Sequence, residues 1–259
     1  MVLLSVAGEA MVDANLIFDK TCDHLPDFEK GVILLVDKPY GWSSFDVVNK
    51  IRGTIKYQLG IKKLKVGHAG TLDPLATGLL IVCTGKLTKS IDQLQSIQKS
   101  YSGTFMLGKT TPTYDSESIA DQDFDIDHIN HENIQSTTQK FIGKIQQIPP
   151  IYSAIKINGK AAYTLARKGR DIEMKQRDIE IYSFDISRVD MPLVDFVVEC
   201  SKGTYIRSLA HDFGKALKAG AYLSALRREA IGPFSVKDAF TIEELVQHIA
   251  AKAITNLTE

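Results

Sequence analysis

The sequence has no long uninterrupted apolar run, which argues against a membrane-spanning helix. No stretch of its 259 residues approaches the roughly 18 consecutive apolar residues that such a helix needs. The first residues also lack a basic segment, and Glu9 interrupts their apolar run, so no secretory signal is predicted. Apolar residues make up 44% of the chain and charged residues 24%, as in ordinary globular proteins. We therefore expect a cytoplasmic protein that does not associate with membranes.

Cysteine is scarce, and its positions do not suggest a metal site or a disulfide framework. Cys22, Cys83 and Cys200 are an odd set without a C-x-x-C pair. The six histidines show no zinc-type spacing with cysteine either. His128 and His131 lie in a polar, acidic stretch and are interpreted as loop residues. The sequence predicts no metal and no cofactor.

The chain has no excess of charge of either sign, but its charges are segregated. Residues 50–100 contain nine Lys or Arg against two acids, and residues 202–237 contain seven against two. Residues 1–30 contain six acids and two Lys, and residues 115–133 contain seven acids and no base. Such segregation is compatible with a basic surface for RNA phosphates, or simply with solvated faces.

Alternating and periodic apolar patterns predict an α+β fold. Gly31–Pro39 and residues 79–83 are short apolar runs typical of buried strands. Ser43 and Asp46 have the spacing of a capping box, and a helical apolar face follows them until Gly60. Further strands are predicted from residue 101 and within 179–200, with helices around 132–142, 209–217 and 241–254. Because regular βαβ alternation is missing, the predicted sheet is mostly antiparallel.

Residues 65–89 contain the pattern with the most chemical content. Gly67, Gly70 and Gly78 surround Asp73, and Pro74 stiffens the backbone directly after the carboxylate. The spacing fails for a phosphate-binding P-loop and for a dinucleotide-binding glycine loop. Taken alone, the loop leaves two alternatives: a catalytic carboxylate, or an Asp that caps a turn.

The loop from Gly67 to Gly78 resembles the signature G-H-x-G-T-L-D-P-x-A-x-G of the TruB family of tRNA pseudouridine synthases. Five further stretches are similar to the family and occur in the same order. They are DKPYGWSSFDVV, YSGTFMLGKTTPTYD, QIPPIYSAIKINGKAAYTLARKG, CSKGTYIRSLAHDFG and LRREAIGPF. The resemblance covers roughly residues 31–235 and implies the pseudouridine synthase fold, with a central, mostly antiparallel mixed sheet flanked by helices.

The resemblance implies three catalytic residues. Asp73 is expected to attack a uridine that has been flipped out of the RNA helix. Tyr101 is expected to stack on the target base and to help remove the C5 proton. Arg207 is expected to pair with Asp73, because a buried carboxylate needs a cation to remain ionised.

The resemblance also implies four substrate-binding residues and no cofactor or metal. Lys38 would support the catalytic loop, and His68 would help hold the T loop in the conformation with its base extruded. Tyr205, two residues before Arg207, would contact the substrate, and Leu226 would line an apolar pocket. The expected substrate is a uridine at position 55 of tRNA, in the T arm, modified by a monomer without a guide RNA.

The resemblance suggests a division of the chain and leaves alternatives open. Residues 1–30 are predicted to be an N-terminal extension dispensable for tRNA binding, 31–240 the catalytic domain, and 241–259 a short helical tail. Only 25 residues follow Phe234, so no C-terminal PUA domain is expected. A guide-directed rRNA synthase and a non-catalytic RNA-binding protein on the same scaffold remain as alternative functions.

Overall fold

The computed structural model describes residues 3–6, 10–157, 159–170 and 172–255. Residues 1, 2 and 7–9 of the predicted extension and 256–259 of the predicted tail therefore lie outside the described residues. In chain order, the elements are β1 (Leu3–Val6), β2 (Ala10–Asp13), β3 (Ile17–Phe18), β4 (Ile33–Lys38), α1 (Ser44–Leu59), β5 (Val66–His68), β6 (Ala76–Thr84), α2 (Ile91–Gln95), β7 (Lys99–Leu107), β8 (Lys109–Thr110), β9 (Gln122–Asp123), α3 (His131–Thr138), β10 (Gly143–Gln147), β11 (Lys156–Ile157), β12 (Lys160–Ala161), α4 (Ala162–Ala166), β13 (Arg177–Asp190), β14 (Leu193–Cys200), α5 (Ile206–Leu217), β15 (Ala221–Ile231), β16 (Phe234–Ser235) and α6 (Ile242–Thr255).

The chain forms two compact units. Unit 1 comprises residues 1–100 and 227–259, and unit 2 comprises residues 101–226. Strand β15 begins in unit 2 and ends in unit 1. No helix in the described ranges is long and apolar enough to cross a membrane.

The sheet of unit 1 has mixed strand directions and is covered by helices. β6 pairs antiparallel with β4 and β5, whereas β3 pairs parallel with β4. Along β4, Leu34 and Val36 pack into a core with α1 and α6, while Ile33 and Leu35 pack into a second core on the opposite face. Because both faces are covered, these strands are continuous apolar runs, as the sequence predicted.

Helix α1 begins and ends where its sequence predicts. Ser43 is the N-cap, its side chain accepts from the Asp46 backbone N–H, and the Asp46 carboxylate accepts from the Ser43 backbone N–H. Gly60 closes the helix in a left-handed conformation at φ 70°. The predicted apolar face packs into the core of unit 1.

Part of the predicted N-terminal extension belongs to the core of unit 1. Phe18 and Phe28 are each only 1% exposed, and their rings meet edge to face at 5.9 Å between centroids. Phe18 also lies 5.3 Å from the ring of Phe240, close to α6. Gly85 makes room for this segment, because a Cβ there would lie 2.2 Å from the Glu29 carbonyl oxygen.

Unit 2 contains a sheet with an aromatic core, in which β13 pairs antiparallel with β10 and β14. Its strand order is β10, β13, β14, β7 and the first residues of β15. Phe105 stacks on Phe196 at 4.1 Å, and Phe184 and Phe213 complete the cluster. Phe213 belongs to α5, so the cluster fixes that helix against the sheet.

The predicted fold class is confirmed: the chain is α+β, with flanking helices, several antiparallel strand pairs and a parallel pairing of β3 with β4. Burial raises the pKa of the Cys83 thiol to about 12.

Candidate active site

The backbone around Asp73 is held by the segment that leads into α1. The Ser44 hydroxyl donates to the Leu72 carbonyl oxygen at 3.1 Å and accepts from the Leu72 N–H at 2.8 Å. The Gly41 N–H donates to the Pro74 carbonyl oxygen at 2.9 Å. Asp73 itself is half-buried. The residues on both sides of the carboxylate are therefore fixed, which limits where the Asp73 side chain can move.

Gly78 and Gly70 of the motif lie close to Arg228: Gly78 against its backbone and Gly70 near its side chain. A Cβ on Gly78, which has φ 104°, would lie 2.3 Å from the Arg228 carbonyl oxygen, so only glycine fits there. The Arg228 guanidinium is buried and donates to the Leu79 carbonyl oxygen at 2.7 Å and to the Gly70 carbonyl oxygen at 3.1 Å. Arg228 thus ties the start of the loop that carries Asp73 to β6.

Lys38 is a buried cation beside the loop. Its Nζ donates to the carbonyl oxygens of Pro39, Trp42 and Pro74 at 3.0, 2.7 and 3.4 Å. Burial lowers the pKa of Lys38 to about 8, against the opposing effect of the Asp73 carboxylate, which favours the charged ammonium. The structure therefore brings the predicted residues Lys38 and Asp73 into electrostatic contact.

His68 lies at the end of β5, in the same unit. Burial lowers the pKa of its imidazole, and the neighbouring Arg228 guanidinium lowers it further. The ring is therefore neutral at physiological pH. Its Nδ1 is buried and has no hydrogen-bond partner among the described residues.

In unit 2, Arg207 at the start of α5 pairs with Asp115. Arg207 Nε lies 3.6 Å from Asp115 Oδ2, and both side chains are buried. The guanidinium also donates to the carbonyl oxygens of Thr113 and Tyr152 at 3.3 and 3.0 Å. Two carbonyl acceptors and the ion pair with Asp115 therefore fix the plane of the guanidinium.

Asp115 is held in turn by its own neighbours. Its Oδ1 accepts from the Thr113 hydroxyl at 2.6 Å and from the Glu117 backbone N–H at 3.0 Å. Asp115 is thus a buried, hydrogen-bonded anion, although the acidic run in which it lies suggested a solvated loop.

The remaining predicted residues of unit 2 are placed by strands and by the helix cap. Tyr101 is buried in β7, and Leu226 is half-buried in β15. The Tyr205 N–H donates to Gln147 Oε1 at 2.8 Å, and Gln147 Nε2 donates to the Tyr205 carbonyl oxygen at 3.1 Å. The Arg177 guanidinium lies over the Tyr205 ring, 5.4 Å from its centroid.

The predicted residues thus form two groups. Lys38, His68 and Asp73 belong to unit 1, and the other four belong to unit 2. The pairing of Arg207 with Asp73 stays a prediction.

Comparison with known proteins decides which family this arrangement belongs to. The TruB family pseudouridylate synthase N-terminal domain matches residues 56–206, and the tRNA pseudouridylate synthase B C-terminal domain matches residues 207–257. The chain belongs to the TruB family. The family assignment made from the sequence motifs is confirmed, and the protein is a pseudouridine synthase, an isomerase.

Relatives and solved structures agree with this assignment. The tRNA pseudouridine synthase B of Flavobacterium johnsoniae is 52% identical over 217 residues, covering 83% of this chain and 95% of the relative. That of Phocaeicola vulgatus is 47% identical, covering 88% of this chain and 97% of the relative.

Among solved structures, a Cbf5–Nop10–Gar1 complex matches with a TM-score of 0.64 and 28% identity, over 92% of this chain and 67% of that chain. The archaeal box H/ACA sRNP Nop10–Cbf5 complex matches with a TM-score of 0.60 and 27% identity, over 86% of this chain. The present chain spans about half of that longer chain, 54%.

The sequence interpretation missed two side chains that TruB-type motifs contain. Asp115 ends the stretch YSGTFMLGKTTPTYD, and Arg228 lies in LRREAIGPF. Because both residues lie inside stretches that are similar to the family, the sequence alone could have indicated that they matter for the site. Their roles depend on contacts with residues far away in sequence, about 90 positions for Asp115 and about 150 for Arg228.

Proposed function

We propose that this enzyme converts a uridine of tRNA to pseudouridine at position 55, in the T loop, with Asp73 as the nucleophile. Relatives that are about half identical over most of the chain are named tRNA pseudouridine synthase B, which supports tRNA as the substrate. The observation that carries the proposal is the Asp73 carboxylate on a loop fixed by Ser44 and Gly41, beside the Lys38 ammonium.

The reaction is an isomerisation in which atoms and electrons balance within the substrate. The bond between C1′ and N1 breaks, the uracil rotates, and a bond forms between C1′ and C5. C5 loses a proton and N1 gains one, so no oxidant or group donor is consumed. A carboxylate can attack the nucleoside only as an anion, and Lys38 favours that state of Asp73.

The base must leave the RNA helix before Asp73 can reach it. Tyr101 offers an aromatic ring on which the uracil can stack, and such stacking contributes about 1–3 kcal/mol per base. Leu226 supplies apolar contact, and Tyr205, at the start of α5, carries a second ring. The neutral His68 imidazole can replace the extruded base in the T loop without adding a buried charge.

Arg207 has the geometry to orient a carboxylate. Its guanidinium plane is fixed by Asp115, Thr113 and Tyr152, so little side-chain freedom is lost when it meets a further anion. We assign to it the pairing with Asp73 and to Asp115 the role of holding it in place.

The enzyme acts as a monomer without a guide RNA. The solved neighbours named as H/ACA assemblies contain other chains, and their chains are longer than this one. The relatives that this chain covers almost completely are named as tRNA enzymes instead.

The test is to incubate the purified protein alone with an unmodified tRNA transcript and to map pseudouridine at single-nucleotide resolution. We expect modification at position 55 only. An rRNA fragment modified only with an added guide RNA, with no reaction on tRNA, would overturn the assignment.

The matched control is Asp73→Asn, which is nearly isosteric but cannot attack as an anion. It should keep its thermal stability and its affinity for tRNA, with no detectable pseudouridine. Turnover near the wild-type rate would exclude Asp73 as the nucleophile. Binding without any turnover by the wild-type protein would favour the alternative of a non-catalytic RNA-binding protein.

A further inference from the structure

Unit 2 contains a cavity of about 570 Å³ that the catalytic residues do not line. One wall is the β8–β9 hairpin, which contributes Thr110 and Gln122, and the other is the C-terminal half of α5 with the residues that follow it. A volume of this size is within the range of small-molecule sites. The Arg207 and Asp115 side chains are not among its lining residues.

Aromatic and apolar side chains form much of the cavity surface. The rings of Tyr114 and His211 stack at 4.1 Å with an interplanar angle of 15°, and both line the cavity. Phe124 and Ile151 line it as well, and each leaves more than a third of its surface exposed. A planar ligand could therefore contact ring faces and an aliphatic side chain together.

Phe124 is fixed by the close approach of Gly220. A Cβ on Gly220 would lie 2.4 Å from the Phe124 ring, and Gly220 has φ 54°. The Phe124 N–H also donates to the Gly108 carbonyl oxygen at 2.8 Å. The aromatic surface is thus preorganised, which reduces the entropy lost when a ligand binds.

Two exposed lysines, Lys215 and Lys218, give the cavity a cationic rim. In the described part of the chain, no carboxylate oxygen lies within 4 Å of either ammonium group. Asp121 is the acid of the lining, and it already accepts from the Thr110 hydroxyl at 2.6 Å. Burial and the Lys215 charge lower the pKa of His211, so the ring adds no positive charge at neutral pH.

We propose that this cavity binds a nucleoside phosphate, with the base against Tyr114 and Phe124 and the phosphate between Lys215 and Lys218. A purely apolar ligand would leave the two lysines without a role, and a small inorganic anion would leave the aromatic surface uncovered. Gln122 and Asp121 supply the hydrogen-bond donors and acceptors that the edge of a base requires. The ligand is either a free nucleotide or one nucleotide of an RNA chain. The site does not depend on tRNA being the substrate.

The direct test is calorimetric titration of the full-length protein with AMP, CMP, GMP and UMP, and with the corresponding nucleosides. We expect each nucleotide to bind more tightly than the corresponding nucleoside, because only the nucleotide carries the phosphate. The double variant Lys215→Gln/Lys218→Asn should weaken nucleotide binding at least about tenfold, because two charge-assisted hydrogen bonds are lost. Asn tolerates the left-handed conformation of Lys218, which has φ 56°, so the fold should be kept.

Matched variants separate the cavity from general charge. Lys140→Gln/Lys144→Gln removes two exposed lysines of unit 2 that do not line the cavity, and it should leave the affinity unchanged. Phe124→Leu removes the ring and should weaken the binding of nucleotides and of nucleosides to the same extent. Nucleotide binding that is absent in the wild type, or that the lysine and Phe124 variants leave unchanged, would overturn the proposal.

A short oligoadenylate without uridine distinguishes the two sources. If the oligoadenylate displaces AMP, and if the double variant binds the oligoadenylate more weakly than the wild type does, the site takes a nucleotide of an RNA chain. If only free AMP binds, the site takes a free nucleotide. Pseudouridine formation on a tRNA transcript is measured separately, so failure of the proposed reaction is distinguishable from failure of this site.

Discussion

Arg207 is held both by an ion pair and by hydrogen bonds to carbonyl oxygens. Its guanidinium reaches the Asp115 carboxylate and two carbonyl oxygens from a single plane. A lysine ammonium has the charge but not the planar arrangement of donors. The identity of the cation, and not only its charge, should therefore matter.

We expect Arg207→Lys to lower kcat at least about tenfold, since lost hydrogen bonds to a charged group cost about 1.5–3 kcal/mol each. Single-turnover kinetics on a tRNA transcript measure this. Arg188→Lys, at an exposed position paired with Asp190, is the matched control and should behave as wild type. Full activity in Arg207→Lys would show that charge alone is sufficient.

The lowered pKa of Lys38 predicts that kcat/KM depends on pH. Its pKa of about 8 means that it loses its proton just above neutral pH, and the Asp73 carboxylate then loses its neighbouring positive charge. We expect kcat/KM to fall as the pH rises through about 8. In Lys38→Met the rate should be low at every pH, and this alkaline limb should be absent.

The contribution of Lys38 to folding stability should rise with pH, whereas kcat/KM should fall. The two effects of Lys38 can therefore be measured separately. Between pH 8 and 10.5 the folded protein binds fewer protons at Lys38 than the unfolded chain, so this group makes stability rise with pH. Urea titrations at several pH values measure this. An alkaline fall in rate accompanied by loss of folded protein would contradict the assignment to Lys38.

At the scale of elements, the N-terminus of α1 has two adjacent serines with different tasks. Ser43 caps the helix, whereas Ser44 bonds to Leu72, next to Asp73. Ser43→Ala should cost about 0.5–2 kcal/mol of stability and leave kcat unchanged. Ser44→Ala should lower kcat because it releases the loop that carries the proposed nucleophile, Asp73. Kinetics and urea denaturation of both variants test this, and equal kcat values would contradict it.

Helix α1 and the buried strands could be predicted because their signals are local. The Ser43–Asp46 box, the apolar face and Gly60 lie within 18 residues, and β4 and β6 are compact apolar runs. The predicted helix over 132–142 is shorter in the structure. α3 ends at Thr138, and a 3₁₀ turn follows over Gln139–Phe141.

Contacts between distant residues could not be predicted in the same way. Asp115 lies in an acidic run and looks solvated until Arg207, from α5, is placed beside it. Phe18 and Phe28 lie in an acidic, weakly periodic segment whose local pattern does not indicate burial. In each case the physical cause is a tertiary contact with a segment that local patterns do not reveal.

At the scale of the whole molecule, Phe18 changes the expectation that residues 1–30 are dispensable. Phe18→Ala should cost about 3–5 kcal/mol, as for other buried aromatic rings. Urea denaturation measures the loss, with Lys20→Ala, an exposed neighbour, as the control. A truncated protein beginning at Lys30 should be destabilised further, because it also lacks Phe28. Unchanged stability in Phe18→Ala would mean that this segment does not support the fold in solution.

The buried thiols have a practical consequence for labelling with dyes. The thiolate is the reactive form of cysteine, so the raised pKa and burial of Cys83, and the burial of Cys200, protect both from maleimide reagents. Only Cys22 is partly exposed. With Cys22 replaced by serine, a single cysteine introduced on the surface would accept a fluorophore selectively. Arrival of tRNA could then be followed without disturbing either core.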